Sequence, residues 1–225
     1  MNPLAAGEPV RRTRRPMPLA LLVLLVLSAM FGLGMVGEFY FRWVHYDENP
    51  SNSMKPTLKE GQFVLVVPAW GRLKDGDVVE FVPPIIAVTP RDVNASGKVS
   101  VHFIKRVVGV PGDLVEIKKG VLYRNGVAQV EPFTKEKSEV DFKLVKYKGA
   151  LWPLAIDGDS VNGDERTATP FRISDDKEME TVRALPAEKL PPGYCLVMGD
   201  NRNESFDSRF WGVLPVARVT GLVRL

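Results

Sequence analysis

Two serines in a short polar segment are the first residues of this sequence that could do chemistry. Ser51 and Ser53 lie in PSNSMKPTL at 50–58, just before a run that is typical of a β-strand. The prolines in the segment restrict the backbone and could hold a serine hydroxyl in one position. The composition also fits an ordinary polar loop, so the segment indicates a nucleophile only if a base lies beside it.

Histidine is the usual base for a catalytic serine, and the chain has only two of them, His45 and His102. His45 follows the apolar N-terminal segment closely, and His102 lies in a predicted strand, where it could be an ordinary half-exposed residue. The sequence has no GxSxG segment of the kind that forms a strand-to-helix nucleophile turn. A Ser-His-Asp triad therefore has weak support.

Lysine is the alternative base, and it works only when its amine is neutral at the working pH. Its usual pKa of about 10.4 must fall by several units, which burial among apolar side chains can achieve. Lys105 lies in VHFIKRVVGV at 101–110, and the alternation of a strand places it on one face with Val101, Phe103 and Val107. These neighbours favour a desolvated base, whereas a lysine at a strand edge would extend into water.

Short β-strands are the elements that must position these residues. Runs rich in β-branched residues, separated by Gly, Pro and Asp, occur at 62–67, 77–82, 101–110, 114–130 and 194–200, and the C-terminal tail adds one or two more. Asn125-Gly126 predicts a hairpin turn. Between the strands, 131–190 is charged and has few apolar runs, so we expect an inserted polar segment there, irregular or folded as a small subdomain. The fold class is mainly β.

Composition excludes several classes of protein. The 225 residues are 45% apolar and 25% charged, with a net charge of +3 that the arginines of 11–15 alone would supply, so we expect no nucleic-acid partner. Cys195 is the only cysteine, which rules out an internal disulfide. The sequence shows neither a metal-ligand cluster nor a phosphate-binding glycine-rich loop, so we expect no metal and no cofactor.

The N-terminal region has the pattern of a membrane anchor. Residues 16–37 carry no charge, and their length suits the roughly 30 Å hydrocarbon core better than the ~7–15-residue core of a cleaved signal peptide. The preceding arginine cluster predicts that the N-terminus lies inside. We therefore expect a basic cytoplasmic tail at 1–15, one transmembrane signal anchor at 16–37 and an extracytoplasmic domain at 38–225. A cleaved signal peptide and a buried core helix are the alternatives.

Four segments form an ordered set downstream of this anchor. They are PSNSMKPTL (50–58), DGDVVEF (75–81), FIKRVVGVPGD (103–113) and MGDNRNESFDSR (198–209). In this order they resemble the motifs of bacterial type I signal peptidases (leader peptidases), which are Ser/Lys peptidases. The resemblance covers most of the chain outside 131–190. It implies a catalytic domain built on a coiled antiparallel β-sheet, with shallow pockets for small side chains.

The resemblance also implies a role for individual residues. Ser53 would be the nucleophile and Lys105 its general base, and the Ser53 N–H and the Ser51 hydroxyl would form the oxyanion hole. Supporting roles would fall to Ser205, which would orient the lysine, to Asp207 and Arg209 as a structural ion pair beneath the site, and to Asp200. Substrate-binding roles would fall to Phe103, Ile104 and Met54. From the residues alone, Asp207 and Arg209 could equally form a surface salt bridge.

The family's activity is the removal of signal peptides from exported preproteins after Ala-x-Ala-type sequences. The resemblance thus implies preprotein signal peptides and the lipid bilayer as partners, a monomeric enzyme, and a location on the outer face of the bacterial cytoplasmic membrane. Two departures from the family pattern lie near the site: Asn203-Glu204 in the closing motif, and the polar Asp47-Glu48-Asn49 before the nucleophile.

Three other functions remain open from the sequence. One is a different Ser/Lys peptidase, such as a self-cleaving repressor, although the soluble helical DNA-binding domain that such a protein carries is not visible. The second is a processing peptidase dedicated to one exported partner. The third is a non-catalytic membrane-anchored binding protein that uses its β-domain for recognition.

Overall fold

The computed structural model of the protein describes residues 19–157, 160–161 and 176–225. The chain falls into two compact units that divide between Trp43 and Val44. The predicted cytoplasmic tail at 1–15 and the first residues of the predicted anchor lie outside the described residues.

One helix, α1, spans Leu19–Trp43 in the first unit and continues beyond residue 37, where the apolar segment was expected to end. In the described part of the chain, no helix qualifies as both long and apolar enough to cross a membrane. The transmembrane anchor therefore stays a prediction.

The second unit is built mainly from antiparallel β-strands, as predicted. Over the described ranges the strands are β1 (His45–Glu48), β2 (Phe63–Val67), β3 (Val78–Phe81), β4 (Phe103–Gly109), β5 (Val115–Lys118), β6 (Val121–Arg124), β7 (Val127–Ala128), β8 (Asp141–Tyr147), β9 (Ala150–Asp157), β10 (Ser160–Val161), β11 (Tyr194–Met198), β12 (Leu214–Pro215) and β13 (Val219–Arg224). Two short helices, α2 (Asp176–Ala184) and α3 (Ser208–Trp211), accompany them.

The first sheet has the strand order β1-β2-β13-β3-β4-β11-β12, so β4 lies well inside it. Because both faces of β4 are covered, alternate residues enter different apolar clusters. Val107 packs in a cluster with Val79 and Val197, and Phe103 packs against that cluster, whereas Ile104 packs in another cluster on the opposite face. Lys105 therefore shares its face with Phe103 and Val107, as strand alternation predicts.

The second sheet has the strand order β10-β9-β8-β5-β6-β7. Its turns include Asn125-Gly126, where both residues have positive φ, so the predicted hairpin is confirmed. The segment expected as a polar insertion supplies β8 and β9, which pair along seven residues. The expectation missed these strands because β8 reads DFKLVKY, in which buried Phe142 and Leu144 alternate with polar residues and form no continuous apolar run.

Candidate active site

Ser53 lies in a short 3₁₀ turn, Asn52–Met54, and its side chain is almost completely buried. Ser51 precedes the turn, and its Oγ accepts a hydrogen bond from the Ser53 N–H over 3.4 Å. The Ser53 carbonyl accepts a 3.0 Å hydrogen bond from the N–H of Asn201, which belongs to the last of the four sequence motifs. The segments around 53 and 201 thus fix the backbone of the candidate nucleophile together.

Lys105 reaches the same place from β4. Its Nζ lies 2.8 Å from Ser53 Oγ and 3.1 Å from the Ile104 carbonyl oxygen, and it donates a hydrogen bond to each. The Phe103 ring centroid is 5.3 Å from Nζ. Within the described ranges, no carboxylate lies at ion-pair distance from this amine. The alternative of a strand-edge lysine that extends into water does not apply, because Lys105 is only 5% exposed.

Burial changes the acid-base chemistry of this lysine. Desolvation lowers the pKa of Lys105 to about 8, although the charges of Asp207 and Asp200 oppose the fall. At pH 7 about a tenth of such an amine is neutral, against roughly 3 in 10,000 at its ordinary pKa. The site therefore holds a usable base within hydrogen-bond reach of a serine hydroxyl.

Ser51 adds a second hydroxyl beside the candidate nucleophile. Its Oγ lies 3.0 Å from Ser53 Oγ. The Ser51 O–H and the Ser53 N–H thus lie next to each other, close to the oxygen that would attack. Two such donors can stabilise an oxyanion that forms at this point.

Gly199 allows the closing motif to approach the nucleophile, and sequence reasoning did not single it out. A Cβ at this position would lie 2.4 Å from the Ser53 carbonyl oxygen and 2.3 Å from Ser205 Oγ. Only glycine fits so close to both atoms. The Ser205 hydroxyl is buried and forms no hydrogen bond with Lys105 here; it lies instead beside Asp207, where it helps to lower the pKa of that carboxyl.

Asp207 and Arg209 form a fully buried ion pair next to the site. Arg209 Nε and Nη2 donate to the two Asp207 oxygens over 2.8 and 2.9 Å. Burial by itself would raise the pKa of the Asp207 carboxyl, but the Arg209 charge and hydrogen bonds from Arg209 and Gly199 hold it below its usual range. With 0% and 1% exposure, respectively, these residues do not form a surface salt bridge.

Asp200 and Arg106 form a second buried pair. Arg106 Nε and Nη2 donate to Asp200 over 2.8 and 2.7 Å, and Thr57 donates to the same carboxylate. Strand alternation predicts that Arg106 faces away from Lys105, but nothing in the sequence predicted its partner. The pair ties β4 to the chain that follows β11 and to the segment after the candidate nucleophile.

A cavity of about 270 Å³ opens beside Ser53 and Lys105. Phe103 and Ile104 line it, as do the following residues that sequence reasoning had not assigned to substrate binding: Asn49, Pro50, His102, Glu204 and Phe206. The structure does not bring Met54 to the cavity. That side chain is 0% exposed and packs in a core cluster that includes Leu58.

The other candidate nucleophiles and bases lie elsewhere. His45 Nε2 and His102 Nδ1 lie 3.1 and 3.9 Å from the oxygens of Glu80, and in the described structure neither forms a hydrogen bond with Ser53. Burial raises the pKa of Cys195 to about 12, so this thiol stays protonated. One group among the described residues, Asp47, Glu80 and His102, has the chemistry of metal ligands.

Comparison with known proteins gives consistent matches. The family model described as "Signal peptidase, peptidase S26" matches residues 19–225. The chain is 29% identical to the probable signal peptidase I-1 of Synechocystis sp. over 76% of its own length and 65% of that protein's, slightly less than two thirds. It is 34% identical to signal peptidase IB of Staphylococcus aureus (strain COL) over 76% of its own length and 71% of that protein's. The chain is also similar to a crystal structure of a signal peptidase I from Enterococcus faecalis V583. The match spans 68% of this chain and 98% of that one, with 24% identity and a TM-score of 0.38.

Proposed function

The chain belongs to the signal peptidase family S26, and on that premise we propose that it is a membrane-bound serine endopeptidase that removes signal peptides from exported preproteins by a Ser/Lys mechanism. The observation that carries this proposal is the 2.8 Å contact between Ser53 Oγ and a buried lysine amine whose pKa burial lowers to about 8. Ser53 would be the nucleophile and Lys105 the general base.

The first half of the reaction follows from this geometry. Neutral Lys105 takes the proton of the Ser53 hydroxyl as Oγ attacks the scissile carbonyl carbon. The carbonyl oxygen becomes an oxyanion, which accepts hydrogen bonds from the Ser53 N–H and the Ser51 hydroxyl. The tetrahedral intermediate then breaks its C–N bond. Protonated Lys105 gives its proton to the departing amine, which leaves an ester between Ser53 and the signal peptide.

The second half repeats these roles with water. Lys105 is neutral again after the amine has left, so it can take a proton from a water molecule that attacks the ester. The same oxyanion donors stabilise the second tetrahedral intermediate. Collapse releases the carboxyl end of the signal peptide, and Lys105 returns the proton to Ser53 Oγ.

The cavity offers an apolar surface beside the reacting groups for residues at the cleavage site. Its volume is about 270 Å³. Phe103 and Ile104 contribute apolar walls directly beside the Ser53–Lys105 pair. An alanine side chain fits this space and so do larger ones, so the proposed cleavage after Ala-x-Ala-type sequences rests on the family match and on these apolar walls rather than on the volume.

The membrane anchor is part of the same proposal. Its support is the uncharged segment at 16–37 and the arginine cluster that precedes it. An enzyme tethered in this way would meet its substrate at the outer membrane surface, where the cleavage site of a translocated preprotein emerges. Carbonate extraction of membranes and protease protection of the C-terminal unit test the anchoring and the orientation.

Cleavage of a preprotein by the detergent-solubilised full chain tests the catalytic assignment. The parent is expected to cut at the end of the signal peptide, as mass spectrometry of both products would show. Ser53→Ala and Lys105→Met are each expected to lose at least about 10⁴-fold in rate, because the nucleophile and base act as one unit.

Two matched variants control this experiment. Ser96→Ala and Lys118→Met change an exposed serine and an exposed lysine, and both are expected to cut like the parent. Circular dichroism checks that every variant is folded. Near-parental cleavage by Lys105→Met would refute Lys105 as the base, and a parent that cuts no preprotein would refute the general signal peptidase activity.

A peptidase dedicated to one exported partner is the second candidate function. The polar side chains of His102 and Glu204 at the cavity favour it, since they could select a particular substrate. A panel of preproteins with different cleavage regions separates the two. A general signal peptidase cuts most of them, whereas a dedicated enzyme cuts one class.

A further inference from the structure

Glu80 is a buried acid that the peptidase mechanism does not use. It lies on β3 and its side chain is 0% exposed. In the described structure no lysine or arginine lies at ion-pair distance from it. A buried carboxylate is costly unless another group offsets its charge, so the groups around Glu80 must provide that compensation.

The only two histidines of the sequence both stand at this carboxylate. His45 Nε2 lies 3.1 Å from Glu80 Oε1, and His102 Nδ1 lies 3.9 Å from Oε2. His45 comes from β1, which two other strands separate from β3 in the sheet order, and His102 comes from the segment before β4. Two scarce side chains thus converge on one buried acid from distant parts of the sequence.

A second carboxylate completes the cluster. One ligand atom each of Asp47, Glu80 and His102 lie within 4.8 Å of one another. The Thr220 hydroxyl donates a hydrogen bond to Glu80 Oε2 and thereby orients this carboxylate. Asp47 and Glu80 also lie close enough to hydrogen-bond to each other, and with the imidazoles around them they form a set of donors in which a cation can replace the shared proton.

We propose that Asp47, Glu80 and His102 bind a divalent transition-metal ion of the zinc type, and that His45, which contacts Glu80 but lies outside this group of three, moves in as the fourth ligand. Imidazole and carboxylate together suit zinc, whereas Mg²⁺ and Ca²⁺ prefer oxygen ligands alone. Ligands at about 2.1 Å from a tetrahedral ion are about 3.4 Å apart. The observed 3.9 Å between His102 and Glu80 is close to that value, and the half-exposed His102 ring has room to move.

The ion would connect three parts of the unit that surround the cavity. It would join β1 to β3 and to the segment before β4. His102 lines the cavity itself, and Asp47 closely precedes Asn49 and Pro50, which also line it. Bound metal would therefore fix one wall of the cavity. Metal binding does not depend on the proposed peptidase activity and can be measured without a substrate.

Cobalt binding to the full chain in detergent tests the site. The chain used in this experiment has no histidine tag and carries the Ser53→Ala substitution. All chelator is removed before the titration. Co²⁺ is the probe because tetrahedral Co²⁺ absorbs visible light strongly. The expected result is one tetrahedral Co²⁺ per chain that one equivalent of Zn²⁺ displaces and that Mg²⁺ and Ca²⁺ do not. A weak octahedral spectrum would overturn the proposal.

Substitutions locate the bound ion. His102→Asn changes a partly exposed side chain, so the fold is expected to survive, and the affinity for Co²⁺ is expected to fall at least about tenfold. Glu116→Gln removes a carboxylate outside the cluster and is expected to leave the affinity unchanged. Equal affinity in His102→Asn and the parent would refute the site.

Nuclear magnetic resonance of histidine-labelled chain gives a readout that needs no variant of the cluster. Only two imidazoles contribute signals, because the sequence has only two histidines. Both are expected to shift on addition of one equivalent of Zn²⁺. If neither signal shifts, the metal binds elsewhere or not at all, and the proposal fails.

Discussion

Two buried basic side chains, Arg209 and Lys105, lie in the second unit. A carboxylate compensates the charge of Arg209, and no carboxylate is paired with Lys105 among the described residues. Arg209 meets Asp207 through two hydrogen bonds and donates further ones to Ser138 Oγ and to the Arg202 carbonyl. Lys105, among the residues that the structure describes, donates hydrogen bonds only to a serine hydroxyl and a carbonyl. Arg209 therefore keeps its charge in a compensated network, whereas the pKa of Lys105 falls to about 8.

This difference distinguishes a residue that stabilises the fold from a residue that can take part in the reaction. A guanidinium paired with a carboxylate has its charge offset and fixes the backbone around it, but it cannot take up a proton. A desolvated amine without a partner carboxylate is costly to protonate, and for that reason it can act as a base. The same degree of burial thus stabilises the fold in one place and creates reactivity in the other. Each prediction below alters one side of this contrast.

Breaking the compensated pair is expected to have the largest effect. Asp207→Asn leaves the Arg209 charge buried without its carboxylate, and we expect the free energy of unfolding to fall by about 3–5 kcal/mol. Urea denaturation of the detergent-solubilised chain measures it. As a control, Glu116→Gln removes the partner of the exposed Lys118, and its cost is expected to stay below about 1 kcal/mol. Equal losses in the two variants would mean that burial does not distinguish the pairs.

Removing the uncompensated charge is expected to stabilise the protein. The folded-state pKa of Lys105 is lowered to about 8 from 10.5, so the unfolded chain binds more protons between these values and stability rises with pH across that window. Lys105→Met has no such dependence. We expect it to be more stable than the parent at pH 7 by up to about 3 kcal/mol, with the difference vanishing near pH 10.5.

Lys118→Met controls this comparison, since Lys118 is exposed and its replacement is expected to have the same effect at every pH. Denaturation curves from pH 7 to 10.5 supply the measurement. A gap between Lys105→Met and the parent that does not narrow with pH would show that Lys105 carries no unfavourable buried charge.

Gly199 lies between the buried Asp207–Arg209 pair and the candidate nucleophile. Its N–H donates to Asp207, and a Cβ added at this position would collide with the Ser53 carbonyl oxygen and the Ser205 hydroxyl. We expect Gly199→Ala to lower the rate of preprotein cleavage about 100-fold, because the added methyl group displaces the nucleophile. Gly37→Ala, where a Cβ meets no atom within 4 Å, is expected to have no effect on the chemical step. Parental activity of Gly199→Ala would show that this close packing does not position Ser53.

The sequence predicted the direction of the side chains on β4 better than it predicted the partners of the buried charged residues around the site. Strand alternation placed Lys105 and Phe103 on one face and Arg106 on the other, because side-chain direction along a strand is a local property. The partner of Arg106 was not predictable in the same way, nor were the contacts that Arg209 makes beyond Asp207, with which the resemblance to signal peptidases implied an ion pair. Ser138 lies in a segment expected to be an insertion, and its contact with Arg209 depends on how the chain returns over the second sheet. The sequence also did not indicate that the Met54 side chain faces the core rather than the cavity.

The smallest predicted effect concerns the electrostatic interaction between the buried Asp200–Arg106 pair and Lys105. The carboxylate of Asp200 raises the pKa of Lys105 against the effect of burial. Asp200→Asn removes this negative charge and leaves Arg106 uncompensated, and both changes disfavour protonated Lys105. The pH at which kcat/KM for preprotein cleavage rises, near 8 in the parent, is therefore expected to move down by less than one unit. Glu178→Gln, which changes a partly exposed acid distant in sequence from the site, should leave the profile in place. A shift of the Asp200→Asn profile to higher pH, or no shift at all, would mean that the group controlling the rate is not Lys105.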